Sequence, residues 1–344
     1  MRVLIVKLSS LGDVVHAMPV VHDILATHPN ALIDWVVEPG FAPLVRRVLG
    51  VNDVIECALR RWTKAWWTGD VRAEWRAFRA RLQRHRYDAV LDLQGLTKSA
   101  VIARMAHGTS YGLANRTEGA GFEVTARWLV NHAIRIEPRT HALDRSRQLA
   151  ARALGYLLPR SPCFGLQAHR PNQAASGPSA PSAPSAPSAD HPSAAHAPPT
   201  VVFVHGTSRD DKLWPEASWI ELGRRAIAQG WRVALPHAGA QERARAQRLQ
   251  VALGSAAEVW PAMGLDALTD RMGDTQGVIG VDSGLSHIAV ALNLPHVQLY
   301  NFSTAWRTGP QEAHGHGHQV SVQGEPAPLV DTVWAAWVRV CAAA

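Results

Sequence analysis

Two runs of alternating strands and helices, with a Pro/Ser/Ala tract between them, predict an α/β protein. Its two doubly wound domains are expected to face a central cleft. Three observations carry this. Short apolar runs, RVLIV at 2–6 and VIGV at 278–281 among them, each lead through a small-residue turn into a helical pattern, as in βαβ units. The same alternation restarts at residue 200. Between the two lies PNQAASGPSAPSAPSAPSADHPSAAHAPPT at 171–200, which cannot fill a core and predicts an extended spacer. The expected extents are 1–170, a linker at 171–199, a second domain at 200–325, and a terminal helix in 326–344 packing back toward the first domain.

In order, the first region predicts a strand at Arg2–Val6, the turn KLSSLGD, and a helix from Val14 to His28. Strands follow at Leu32–Val37 and Asn52–Ile55, then an Arg-rich helix at Glu74–Arg86, a strand at Tyr87–Leu93 and a helix at Leu96–Ala106. The second region predicts strands at Thr200–His205, Trp231–Pro236, Ala257–Pro261, Gly277–Val281 and His296–Tyr300. Its helices are expected at Pro215–Gln229 and Gln241–Leu253, after Val281, and at Leu329–Cys341, where Val330, Val333, Trp334, Trp337 and Val340 share an apolar face.

A formal charge of +7 fits an acidic partner: nucleic acid, a phosphorylated substrate or an anionic membrane face. No nucleic-acid motif accompanies it, so nucleic acid is the poorest of the three. Thirteen Trp against six Phe favour amphipathic contacts as well as core packing. Cys57, Cys163 and Cys341 are too few and too scattered for a disulfide framework or a zinc site. Neither a secretory leader nor a spanning run of about 18 apolar residues is visible. The expected location is therefore cytoplasmic, with peripheral membrane contact.

The most telling stretch is VDSGLSHIAVAL at 281–292. A buried strand turns through Asp282-Ser283-Gly284 into a helix, whose unpaired N–H groups and positive dipole end suit a phosphate. The bland alternative is a simple helix cap. In the loop His205–Pro215, Thr207 and Ser208 offer hydroxyls and Lys212 a movable cation, which strengthens the phosphate reading. Glu242, beyond the strand at 231–236, is either a ribose ligand or an ordinary helix-start acid beside Arg243 and Arg245. In the front half, SSLGD at 9–13 lacks the glycine fingerprint of a dinucleotide site, which argues against NAD. It places Asp13 at a helix start in the cleft, as an N-cap or as a general base kept ionised by the dipole. RRWTKAWW at 60–67 is the densest cationic-aromatic cluster: a clamp for an acidic acceptor resting on lipid, or a solvated face. HGHGH at 314–318 has too little fixed geometry for a metal site and is expected to be a surface loop.

Together these motifs resemble the heptosyltransferases of glycosyltransferase family 9. The carrying residues are MRVLIVKLSSLGDVVHAMP at 1–19, IDWVVEPGF at 33–41, RRWTKAWW at 60–67 and YDAVLDLQGLTKSA at 87–100. TSRDDKLWPEASW at 207–219 and VDSGLSHIAVAL at 281–292 complete them. The resemblance covers nearly all of the chain outside the Pro/Ser/Ala insert. It implies a GT-B fold of two Rossmann-like domains. It also implies metal-independent, inverting transfer of heptose from ADP-heptose, the co-substrate, to a Kdo residue of Kdo2-lipid A at the anionic cytoplasmic face of the inner membrane. By position it makes Asp13 the catalytic base and Lys212 a catalytic and donor-binding cation. It assigns Thr207, Ser208, Glu242, Met263, Asp282, Ser283, Gly284, Leu285 and His287 to the donor. Ser10, Gly12, Arg60, Arg61, Lys64 and Lys98 go to the acceptor side. Ser283 stands where the family often has Thr, NFSTAWRTGP at 301–310 replaces a Gly-Pro-Thr turn, and Asn115–Phe122 diverges. Open alternatives are heptosyltransferase II or another nucleotide-sugar enzyme of this fold, and a non-catalytic nucleotide-sugar or lipid-binding module.

Overall fold

A computed structural model describes residues 1–169, 198–311 and 317–344. Nearly all of the linker, and His314 and His316, lie outside the described residues.

The first half runs β1 (Arg2–Val6), α1 (Leu11–Ala17), α2 (Pro19–Thr27), β2 (Leu32–Val37), α3 (Ala42–Val45), β3 (Val51–Glu56), α4 (Leu59–Trp62) and α5 (Gly69–Leu82). It continues with β4 (Arg86–Asp92), α6 (Thr97–Met105), β5 (His107–Leu113), α7 (Val124–Leu129), β6 (His132–Ile134) and α8 (Ala142–Leu154). The second half runs β7 (Thr200–Val204), α9 (Glu216–Ala228), β8 (Arg232–Leu235), α10 (Ala240–Leu253), β9 (Ala257–Val259), α11 (Leu265–Gly273) and β10 (Gly277–Val281). It ends with α12 (Gly284–Ala291), β11 (His296–Tyr300), α13 (Ala305–Thr308), β12 (Gln319–Gln323) and α14 (Val330–Ala342).

Each half is a six-stranded parallel sheet, ordered β3-β2-β1-β4-β5-β6 in one and β9-β8-β7-β10-β11-β12 in the other. Both therefore have the order 3-2-1-4-5-6 of a doubly wound sheet. Their reversal points, β1/β4 and β7/β10, open crevices at the carboxyl ends of the strands. Alternation along β1 sends Val3 and Ile5 to one face and Leu4 and Val6 to the other, and both faces are buried under helices. Val3 and Ile5 share one apolar cluster with Val202, Val204, Ile288 and Ala289 of the second half. Burying one such aliphatic side chain contributes about 1.5–3 kcal/mol, so the halves meet through a continuous core.

Several boundaries differ from the sequence expectation. The helix expected from Val14 begins at Leu11 and divides at Met18, because Pro19 has no N–H to continue it. The Arg-rich helix starts at Gly69, capped by the Thr68 hydroxyl, which accepts from Val71 N at 3.4 Å, and ends at Leu82; Arg86 already belongs to β4. β5 reads HGTSYGL and escaped notice because two glycines and a His dilute its apolar pattern. The terminal helix does not return to the first half. α14 packs on β11, β12 and α9, with Val333, Trp337 and Val340 fully buried there. No helix among the described residues is long and apolar enough to cross a membrane.

Candidate active site

A cleft of about 720 Å³ lies where the two reversal points face each other. From the first half it is lined by Ser10, Gly12, Asp13, His16 and Arg145, and from the second by Thr207, Ser208, Lys212, Glu242 and Met263. Asp282, Ser283, Gly284, Leu285, His287, Arg307 and Thr308 complete the second wall. Every residue assigned to the donor side lies on this cleft. So do Ser10, Gly12 and Asp13. Arg60, Arg61, Lys64 and Lys98 do not line it.

On the first wall, Ser10 occupies the cap position of α1 and Asp13 sits in its first turn. Asp13 Oδ2 accepts from Ser10 Oγ at 2.9 Å and from Ser10 N at 3.3 Å. The capping role and the chemical role are therefore compatible. Lys7 Nζ and an Arg145 terminal nitrogen each lie 3.6 Å from Asp13 Oδ1. Burial works against ionisation of Asp13, but Lys7 and Arg145, helped by the Ser10 hydroxyl, outweigh it and hold the carboxyl well below its ordinary range. Lys7 is itself buried, and desolvation lowers its ammonium from its ordinary value although Asp13 pulls the other way. Its Nζ also donates to the Leu93 carbonyl at 3.0 Å. Gln94 fixes the loop by accepting from Leu8 N at 2.7 Å.

The second wall is more tightly knit. Lys212 Nζ lies 2.6 Å from Asp282 Oδ2. Asp282 Oδ1 lies 3.4 Å from His287 Nε2 and accepts from Thr308 Oγ1 at 3.3 Å. Burial raises the Asp282 carboxyl, but His287 and Lys212 more than reverse this and hold it far below the ordinary range. Thr207 Oγ1 donates to the Asp282 carbonyl at 3.2 Å, joining the two phosphate-type loops. Asn301 Nδ2 donates to the carbonyls of Asp211 (2.9 Å) and Leu213 (3.0 Å), which pins the Lys212 turn to the end of β11. Ser283 stands at the cap position of α12, yet its hydroxyl makes no capping bond and is buried without a partner. The simple-cap alternative thus fails for Asp282 and Ser283. What remains is a hydroxyl, helix N–H groups and a lysine facing a cavity, which suits an oxyanion. Glu242 Oε2 accepts from Ala238 N at 2.7 Å, while Arg245 pairs with Glu216 instead.

Two glycines set the distance between the walls. A Cβ on Gly12 would meet His287 Cδ2 at 2.6 Å, and one on Gly284 would meet Leu11 Cδ2 at 2.6 Å. The missing side chain at Gly284 thus leaves room for the opposing helix. His16 lies beneath this crossing, its ring centre 4.3 Å from that of His287 and 5.7 Å from that of His141. Burial first, then those two neighbouring rings, keep His16 well below its ordinary value, so it is neutral.

The basic cluster at 60–67 is split by the fold. Trp62 is buried and donates from Nε1 to Glu74 Oε2 at 2.8 Å, and Arg61 also pairs with Glu74. Arg60 Nε lies 2.9 Å from Glu38 Oε1, and a terminal nitrogen donates to Ser9 Oγ at 3.3 Å, which places it beside the loop that carries Ser10 and Asp13. Lys64, Trp66 and Trp67 are exposed. Sequence reasoning missed Lys7, His16, Arg145, Arg307 and Thr308 as site residues. Lys7 is the only one with a local signal, a charged residue directly after a buried strand.

The family model for glycosyltransferase family 9 (heptosyltransferase) matches residues 75–328. Lipopolysaccharide heptosyltransferase 1 of Escherichia coli K12 is 39% identical over 302 residues, covering 87% of this chain and 88% of that protein. The Pseudomonas aeruginosa protein of the same name is 38% identical over 310 residues, covering 90% and 81%. The structure of E. coli heptosyltransferase WaaC with ADP superposes with a TM-score of 0.80 at 34% identity, covering 97% of this chain and 98% of that one. WaaC with ADP-2-deoxy-2-fluoro heptose gives 0.76 at 35% identity, covering 98% and 97%. On its sequence and on its paired sheets, the chain belongs to glycosyltransferase family 9, the heptosyltransferases.

Proposed function

We propose that this protein moves L-glycero-D-manno-heptose from ADP-heptose to a Kdo residue of Kdo2-lipid A, inverting the anomeric centre, in the building of the lipopolysaccharide inner core. The observation that carries the reading is the position of Asp13 on one wall of a cleft whose other wall is an oxyanion cradle built from Thr207, Ser208, Lys212 and Ser283. The relatives named above support ADP-heptose as donor.

In this reading the diphosphate rests on the N-terminal N–H groups of α12, the nearby hydroxyls and Lys212, while the adenosine extends toward Met263 and Glu242. Asp13 accepts the proton of the acceptor hydroxyl as that oxygen bonds to the anomeric carbon. The bond from that carbon to the phosphate oxygen breaks on the opposite face, and ADP leaves unprotonated. Lys212 and the helix N–H groups stabilise the charge that develops on it. Asp13 is a weak base because Lys7 and Arg145 favour its charged form. That suffices where the hydroxyl loses its proton only as the new bond forms. The acceptor approaches past Arg60, and exposed Trp66 and Trp67 beside Lys64 fit an anionic membrane face.

The test is mass spectrometry of the purified protein with ADP-heptose and Kdo-bearing lipid A. The acceptor is expected to gain one heptose while ADP is released. An acceptor of unchanged mass, with the donor intact, would end this reading.

A further inference from the structure

The loop after β11 belongs to the second half but is fastened to the first. The guanidinium carbon of Arg139 lies 4.9 Å from the centre of the Trp306 ring. His141 Nε2 is 3.0 Å from the Gly309 carbonyl oxygen, and Gln311 Nε2 donates to Asp144 Oδ2 at 3.0 Å. Arg307 lies among these ties. Its aliphatic stem crosses Gly119, whose φ is +70° and where any Cβ would fall inside the arginine side chain. Its neighbour Thr308 turns the other way, toward Asp282.

Arg307 lines the cleft together with Asp13 and Arg145. Arg145 is buried and already lies 3.6 Å from Asp13. Desolvation lowers Arg145 from its ordinary value against the pull of Asp13, and the charge of Arg307 lowers it further. The Arg307 guanidinium itself has no carboxylate and no hydrogen-bond acceptor among the described residues. A second guanidinium held beside a buried one, with no carboxylate of its own among the described residues, is repelled by it. A planar anion between them relieves that repulsion and takes paired N–H donors from Arg307.

We propose that Arg307 binds the carboxylate of the acceptor sugar, so that the second half contributes to acceptor recognition. This rests on the heptosyl-transfer reading above. The carboxylate is assigned rather than the donor diphosphate because Arg307 lies over Gly119 and beside Arg145, both on the wall of Asp13. Thr207, Ser208 and Ser283 stand on the opposite loops. The sugar that presents its hydroxyl to Asp13 would place its acid group against Arg307, which fixes which hydroxyl reacts.

The test uses the full chain with ADP-heptose and a Kdo-bearing acceptor. Arg307→Ala is expected to raise the acceptor KM by about tenfold or more, with ADP affinity measured by calorimetry staying within about twofold. Arg307→Lys should recover part of the loss. Amidating the Kdo carboxylate should bring the wild-type protein down to the level of Arg307→Ala and leave that variant unchanged. Unchanged ADP binding shows that the variant is folded. A fall in ADP affinity in step with KM would assign Arg307 to the donor diphosphate and overturn the proposal. So would an amide penalty equal in wild type and variant. A wild-type protein inert toward every Kdo acceptor would instead remove the heptosyl-transfer reading on which this one stands.

Discussion

Asp13 and Asp282 both face the cleft from the point where the order of their sheet reverses, Asp13 in the first turn of the helix after β1, the first strand of its half, and Asp282 directly after β10, the fourth strand of the other. Their surroundings differ. The Asp282 side chain is 6% exposed and takes Lys212 at 2.6 Å, with His287 and Thr308 at 3.3–3.4 Å. The Asp13 side chain is 39% exposed, and its two cations stand off at 3.6 Å. Asp282 is therefore a saturated acceptor that positions its partners, and Asp13 has lone-pair capacity left facing the cleft. One residue type on the two walls of one cleft acquires two roles, and its exposure and the distance of its partners decide which.

The sharpest way to break this comparison is to neutralise each acid without changing its size. Asp13→Asn is expected to lower kcat by about a hundred- to ten-thousand-fold, the usual worth of a general base, with ADP affinity unchanged. Turnover within a few-fold of wild type, set against collapse in Asp282→Asn, would exchange the two roles. The next effect is on stability. Asp282→Ala strands Lys212 and removes an acceptor from His287 and Thr308, and should cost about 2 kcal/mol in urea unfolding, clearly more than Asp13→Asn. Equal midpoints for the two variants would mean that Asp282 is no more a structural hub than Asp13.

The smallest effect concerns pH and refines the account of Asp13. Its folded-state value is depressed, so it is a carboxylate down to pH values below the ordinary range of about 4. Lys7→Met withdraws one of the cations responsible, so the carboxyl rises and the acid limb of the rate profile moves to higher pH. Above pH 6 the variant and wild type should converge to within about tenfold, since both carry the carboxylate there. A limb that stays in place would leave Arg145 as the dominant partner.

Much of this was legible in the chain. Buried strands such as RVLIV and GVIGV are continuous apolar runs closed by small residues, and such runs do not depend on distant partners to be recognised. The loops that line the cleft were equally readable, because Thr207, Ser208 and Ser283 each lie within a few residues of a strand end and Lys212 lies on the same loop as the first two. Strands like HGTSYGL were not. Their stability comes from neighbours, such as Tyr87 of β4 against which Gly108 packs, rather than from their own side chains. The cationic cluster at 60–67 was read as one patch. The fold buries Trp62, ties Arg61 to Glu74 and brings only Arg60 to the mouth of the site.

The sequence by itself determined two parallel sheets, the place of each loop at a strand's carboxyl end, and the polar groups those loops bring to the cleft. These follow from local periodicity and from helix-start chemistry, both of which act over a few residues. Only the tertiary structure decided that Lys7 and Arg145, 138 positions apart by their numbers, close on one carboxylate, and that Arg307 of the second half reaches the wall of Asp13. Electrostatic partnership depends on distance in space. Chain separation says nothing about it until the sheets have brought the charges within a few ångströms.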